Sequence, residues 1–218
     1  METQQNLDTK DCISPNHVAH ELADNVMPAK ANFRKSKTFV LAIAAGALIA
    51  FGAQVSLNVM TGTEAVSWGF AKLIGAMTFA TGLMMVVLTG AELFTGNVMM
   101  TFSVIEKKTS LAKLLRNWTI VYTGNFVGSI LIAAIIYLTG CSHNSHEALG
   151  VLGLTTAYTK VNLTFLEAFT RGILCNWLVC LAIWMASSSR HVIGKIFAIF
   201  FPITTFVASG YEHSIANM

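Results

Sequence analysis

The sequence predicts an all-α polytopic membrane protein, an inverted repeat of three-span units whose second and fifth spans are broken. Composition is the first observation. The 218 residues are 54% hydrophobic and 11% charged, with a mean hydropathy of +0.61, outside the range of soluble domains. The second is a series of apolar segments long enough to cross a bilayer, since a spanning helix needs about 20 mainly apolar residues. The third is a motif that occurs twice. Residues 90–97 read GAELFTGN and residues 210–217 read GYEHSIAN, both Gly-x-Glu-x-x-x-x-Asn. Hydrocarbon cannot hydrogen-bond to backbone, so irregular chain at membrane depth must lie inside protein or beside a water-filled path. Two such breaks in corresponding places point to a transport site near the midplane.

Residues 1–37 read as a polar cytoplasmic segment carrying Asp8, Asp11, Glu21 and Asp24, without the apolar core or cleavage site of a signal peptide. Within it, HVAHELADNVM is amphipathic, which suits a surface helix acting as a gate or an interfacial helix. Residues 38–218 form the transmembrane channel domain. Span 1 covers roughly 38–58. Span 2, roughly 69–105, is too long for one straight helix. The first motif divides it into a long half ending at Thr89 and a short half from Asn97. Span 3 is roughly 115–139 and span 4 roughly 162–187. Span 5 starts near Val192, is kinked by Pro202 and stops near Gly210. Repeat 1 therefore runs over about 38–140 and repeat 2 from about 161. The first motif is followed by a half-helix and a further span, whereas the second ends at Met218. The expectation is an incomplete second repeat, lacking a half-helix and a sixth span.

Basic residues orient the chain. Lys10, Lys30, Arg34, Lys35 and Lys37 precede span 1; Lys107, Lys108, Lys113 and Arg116 lie between spans 2 and 3; Arg190 and Lys195 lie between spans 4 and 5. If each span crosses once, these share one side, so the N-terminus is cytoplasmic. Glu64, the CSHNSHEALG segment and Lys160 fall on the other side. The small net charge of +3, with no basic stripe, argues against nucleic acid. No HExxH, Walker A, GxSxG or GxGxxG sequence is present, which argues against an enzyme. Four scattered cysteines suggest neither a disulfide framework nor a zinc site, and His143 and His146 read as solvated loop residues. No cofactor or metal is implied.

Several polar residues stand out against this apolar background. His213, in the second break, is an ionisable group at membrane depth, either a loop cap or a pore-centre donor and proton exchanger. Thr95 in the first break suits a helix N-cap, a substrate contact, or both. Glu92 and Glu212 occupy equivalent places and should accept backbone N–H bonds that lock their loops. Asn97 and Asn217 should cap the same turns. Glu167 and Arg171, one helical turn apart, suit an i,i+4 ion pair. Lys160 suits a snorkelling interface residue. The glycines of spans 1–3, including the Gly124–Gly128 pair, suit close helix packing in lipid.

AELFTGN, CNWLVCLAIWMA and ASGYEHSIANM together resemble the formate/nitrite transporter family of pentameric membrane channels, over roughly residues 38–218. The last two stretches are similar to nitrite-transporting members in particular. The resemblance implies a homopentamer in a bacterial-type inner membrane, with six spans and a pore in each protomer. Its cargo would be small weak-acid anions: formate, nitrite or hydrosulfide. It implies that His213 lies at the pore centre with Thr95 as its partner, and that Lys160 and Asn176 line an outer vestibule. It further implies an outer constriction of Leu93, Phe94 and Val179 and an inner one of Phe79, Leu83 and Phe206. Apolar rings of this kind exclude hydrated ions. The rival architecture with paired breaks is an aquaporin-like channel for neutral solutes, whose Asn-Pro-Ala turns this chain lacks.

Overall fold

The computed structural model describes residues 12–63 and 65–218; Asp8, Lys10, Asp11 and Glu64 lie outside them. Two short N-terminal helices, α1 (Pro15–His20) and α2 (Met27–Ala31), are joined by a single π-helical segment, Glu21–Val26. The long helices follow: α3 (Lys35–Met60) and α4 (Trp68–Thr89). The first break leads into two short helices, α5 (Phe94–Asn97) and α6 (Met100–Ile105). Then come α7 (Leu111–Leu138), α8 (Ala148–Val161), α9 (Phe165–Ser188) and α10 (Val192–Ala208). Helices α3, α4, α7 and α9 are long and apolar enough to cross a membrane, while α10 is a shorter apolar helix ending at the second break. The predicted spans are all present, with the first half-helix beginning at Phe94 rather than Asn97.

The two motif glycines end their helices identically. Gly90 and Gly210 take left-handed φ values of 72° and 73°. After α4, the N–H groups of Gly90 and Ala91 return to the carbonyls of Val87 and Val86; after α10, those of Gly210 and Tyr211 return to Val207 and Phe206. This paired closure satisfies the last helical carbonyls, and only glycine enters the left-handed region without a Cβ penalty.

Helix α3 is the central element, packed on α4 at one side and α7 at the other. Its buried stripe is small: Thr38, Ala42, Ala45, Gly46, Ile49, Gly52 and Ser56. The helix axes approach so closely that a Cβ on Gly46 would lie 2.0 Å from the Asn125 carbonyl oxygen, and one on Gly128 2.0 Å from that of Ile43. Neither backbone atom can move without parting the helices. Gly46→Ala and Gly128→Ala are each expected to destabilise by about 3 kcal/mol, read as a lower melting temperature in detergent. Gly153→Ala on α8, where a Cβ meets nothing within 4 Å, is expected to be neutral.

Two differences from the sequence reading concern the connections. The connection between the spans read as third and fourth, to which no helix was assigned, contains the 14-residue α8, whose buried side chain is Leu149. Lys160 stands in its last turn, where a cation complements the helix dipole. The amphipathic N-terminal stretch does not turn its apolar face to lipid. Val18, Leu22 and Met27 are buried against Met99, Met100 and Leu114, and Ser103 on α6 donates to the Ala23 carbonyl at 2.7 Å. Lys108 pairs with Asp24 at 3.3 Å. This segment thus forms one end of the bundle, the N-terminal face, together with the α6–α7 and α9–α10 turns.

Candidate functional site

The first break is built on α7. Asn125, fully buried, uses every hydrogen-bonding group of its amide. Its Oδ1 accepts the Phe94 N–H at 3.0 Å, and its Nδ2 donates to the carbonyls of Ala42 at 2.8 Å and Glu92 at 2.9 Å. A side chain from a neighbouring helix therefore caps α5. Thr95 does not: its hydroxyl is buried with no partner. Glu92 is 1% exposed. Its carboxylate receives the Asn97 amide at 2.6 Å and the Lys30 ammonium at 3.0 Å. Lys30 also donates to Asn97 Oδ1 at 3.2 Å, and Asn97 donates to Asn117 at 2.9 Å.

The second break repeats this chemistry from the opposite end. Glu212 receives the Asn217 amide at 2.8 Å. It pairs with Lys160 and lies 3.9 Å from Arg171. Each break is therefore a lysine, a glutamate and an asparagine, with the lysine supplied from outside the motif. The glutamate carboxylates accept from these side chains, and the backbone N–H bonds expected of them do not occur among the described residues. Arg171 meets Glu212 and forms no direct ion pair with Glu167, which forms a capping box with Thr164.

His213 is buried inside the second break. Its Nδ1 accepts the N–H groups of Ile215 and Ala216, each at 3.0 Å. A nitrogen that accepts two hydrogen bonds carries no proton, so the neutral ring bears its hydrogen on Nε2. That Nε2–H has no partner among the described residues. The ring stacks on Phe206, with centroids 5.7 Å apart, and Phe206 meets Phe79 edge-on at 5.9 Å. His213, Lys160, Asn176, Glu212 and Asn217 line a groove of about 520 Å³. Asn176 donates to the Gly172 carbonyl at 2.6 Å and accepts from Ser214 at 3.4 Å.

Helix α9 measures the depth of the two breaks. Asn176 touches Ser214 of the second break; Cys180, one turn on, donates to the Thr95 carbonyl of the first at 3.7 Å. One helical turn is roughly 5.4 Å, so the breaks meet near the middle of α9. The direction of α4 corrects the order of the apolar groups. Leu93, Val179, Phe79, Leu83 and Phe206 all belong to one buried cluster, and Val179 adjoins Cys180 on α9. Phe206 and, through it, Phe79 lie beside His213. Phe79 and Leu83, expected on the inner side, stand nearer the face opposite the N-terminal segment, because α4 starts from that face and passes them before it reaches Gly90. Phe94 packs edge-on against Trp118 at 5.8 Å and Tyr122 at 5.4 Å. The residues missed by sequence reading were Asn117, Asn125 and Lys30. The one available signal was two asparagines within an apolar span.

The chain matches the family model described as "Formate/nitrite transporter" over residues 17–218. It is 40% identical over 200 residues to "Formate channel FocA" of Haemophilus influenzae, covering 92% of this chain and 70% of that one. It is 40% identical over 200 residues to "Probable formate transporter" of Methanothermobacter thermautotrophicus, covering 84% and 72%. Two solved structures share its fold. "Pentameric formate channel with formate bound" has a TM-score of 0.77 at 39% identity, covering 84% of this chain and 71% of that one. "FNT family ion channel" has a TM-score of 0.84 at 29% identity, covering 92% and 80%.

Proposed function

This chain belongs to the formate/nitrite transporter family, and we propose that it conducts small monovalent weak-acid anions, formate foremost and also nitrite or hydrosulfide. One observation carries the reading. At mid-depth the hydrogen-bond donors are left over while the carboxylates are not. Glu92 and Glu212 are both neutralised by lysines, whereas the Thr95 hydroxyl and the His213 Nε2–H lack partners. Such a site welcomes an acceptor and holds no unpaired negative charge to repel it. The apolar residues of the surrounding cluster, Leu93, Val179, Phe79, Leu83 and Phe206, favour passage of small, poorly hydrated species.

Proton coupling belongs to the same proposal. A His213 that gave its Nε2 proton to the anion regains one through Nδ1 only by releasing the Ile215 and Ala216 N–H groups. Coupling is therefore tied to movement of the second break. The unit of assembly is a homopentamer in a bacterial-type inner membrane with the N-terminus cytoplasmic. The basic residues between α6 and α7 and after α9 support the orientation. The exposed apolar faces of α7 and α9, including Tyr122, Phe126, Phe169 and Trp177, support burial in lipid and against other protomers.

The test is flux into proteoliposomes with formate, nitrite, hydrosulfide, chloride and glycerol. Passage of the weak-acid anions at rates at least tenfold above chloride is expected. Glycerol flux without anion flux would replace the reading with a neutral-solute channel.

A further inference from the structure

Among the described basic residues, three lie away from the N-terminal face: Lys72, Lys160 and Arg171. Two of them are committed to Glu212. Lys72 is not. It is half-buried in the second turn of α4, and among the described residues its ammonium has no hydrogen bond or ion pair. A lysine in a spanning helix is expensive to keep there without a purpose, and this one forms no ion pair with a carboxylate among the described residues.

Its position in the helix shows where it looks. Lys72, Ala76, Phe79 and Leu83 fall at spacings of four, three and four residues, which puts them on one face of α4. The last three of these are buried in the channel-side core. Lys72 is thus the outermost member of the stripe that carries the Phe79 and Leu83 constriction, two turns beyond Phe79 and on the same side as the second break. It is also close enough to Lys160 and Glu212 for both charges to act on it. Lys72, Lys160 and Arg171 stand here against Glu212 and, one turn out on α9, Glu167; three basic groups against these two carboxylates leave a surplus of positive charge, and Lys72 is the group with which to hold an anion.

We propose that Lys72 is an anion-binding residue at the mouth opposite the N-terminal face, the first protein charge met by an anion moving towards Phe79 and His213. The inference rests on the anion-conducting reading above. Lys160 serves mainly to hold Glu212 and the second break in place, while Lys72 concentrates the permeating anion. The chemical class of ligand is a small monovalent oxyanion or similar anion, because one ammonium offers a point charge without the bidentate geometry that selects larger groups.

The test compares wild type with Lys72→Met and Lys72→Arg in proteoliposomes, measuring formate flux against concentration at low and high ionic strength. Methionine keeps the length and apolar stem of lysine and removes the charge. At low salt, Lys72→Met is expected to raise the half-saturating formate concentration roughly three- to tenfold while leaving the maximal rate within a factor of two. The difference should shrink at high salt, and Lys72→Arg should restore the wild-type value. A charge that merely anchors α4 would lower the maximal rate and leave half-saturation and its salt dependence alone. That result, or an unchanged Lys72→Met protein, overturns the proposal. If the wild-type protein passes no formate, the functional reading fails first; Lys72 is refuted separately only where wild type conducts.

Discussion

Replacing His213 with asparagine is expected to abolish most anion flux while leaving the fold intact. The two effects separate because the two ring nitrogens do different work. Nδ1 accepts the N–H groups of Ile215 and Ala216, each at 3.0 Å, and an asparagine Oδ1 occupies nearly the same place with the same accepting capacity. The shorter side chain then caps the break but ends short of the position of Nε2. A hydrogen bond to a charged group contributes about 1.5–3 kcal/mol, so flux should fall roughly ten- to a hundredfold. His213→Leu removes both functions. The buried Ile215 N–H and the partly buried Ala216 N–H lose their acceptor, at about 1–3 kcal/mol for the buried one, and the protein should lose several degrees of melting temperature as well as its flux. Flux assays and detergent melting curves on the two variants check the assignment. If asparagine is as destabilising as leucine, the Nδ1 cap is wrong. If asparagine retains wild-type flux with an unchanged pH profile, both the Nε2 donor and the proton role are wrong.

The architecture was legible because membrane constraints write themselves into local sequence. Apolar runs of spanning length gave the helices, and the repeated Gly-x-Glu-x-x-x-x-Asn gave both breaks and their equivalence. The glycines proved to be the helix terminators that the pattern suggests. His213 stood out as a candidate for a related reason: an ionisable side chain in an apolar region has few bland explanations. What remained hidden depends on contacts between distant segments. Nothing near Glu92 in the chain announces Lys30, 62 residues earlier, and nothing near Phe94 announces its cap from Asn125. The expectation of backbone caps around the glutamates failed for that reason, since it considered only neighbours in sequence. The misplaced side of Phe79 and Leu83 is a different kind of error. The direction of α4 follows from the same alternation that oriented the spans, so the place of these two residues along the channel was already contained in the topology.

The lysine–glutamate pairs differ in burial, and so should the consequences of breaking them. Glu92 has a side chain 1% exposed beside a Lys30 that is 25% exposed, whereas Glu212 and Lys160 are 11% and 33% exposed. Removing one partner of a buried pair leaves an uncompensated charge, at about 3–5 kcal/mol; the penalty falls as water reaches the survivor. Glu92→Gln is therefore expected to destabilise by about 3 kcal/mol and Glu212→Gln by about 1 kcal/mol. Glutamine still accepts from Asn97 or Asn217, so the deficit isolates the charge. Adding Lys30→Met to Glu92→Gln should recover much of the lost stability, because the stranded ammonium is then gone. Their effects on transport should also diverge. Glu92→Gln loosens the break that holds Leu93 and Thr95, and should make flux less selective. Glu212→Gln leaves the opposite mouth more positive, and should lower the half-saturating anion concentration at low salt. Equal destabilisation by the two single variants, or no recovery in the double variant, would mean that the asparagine contacts, and not the ion pairs, hold the breaks closed.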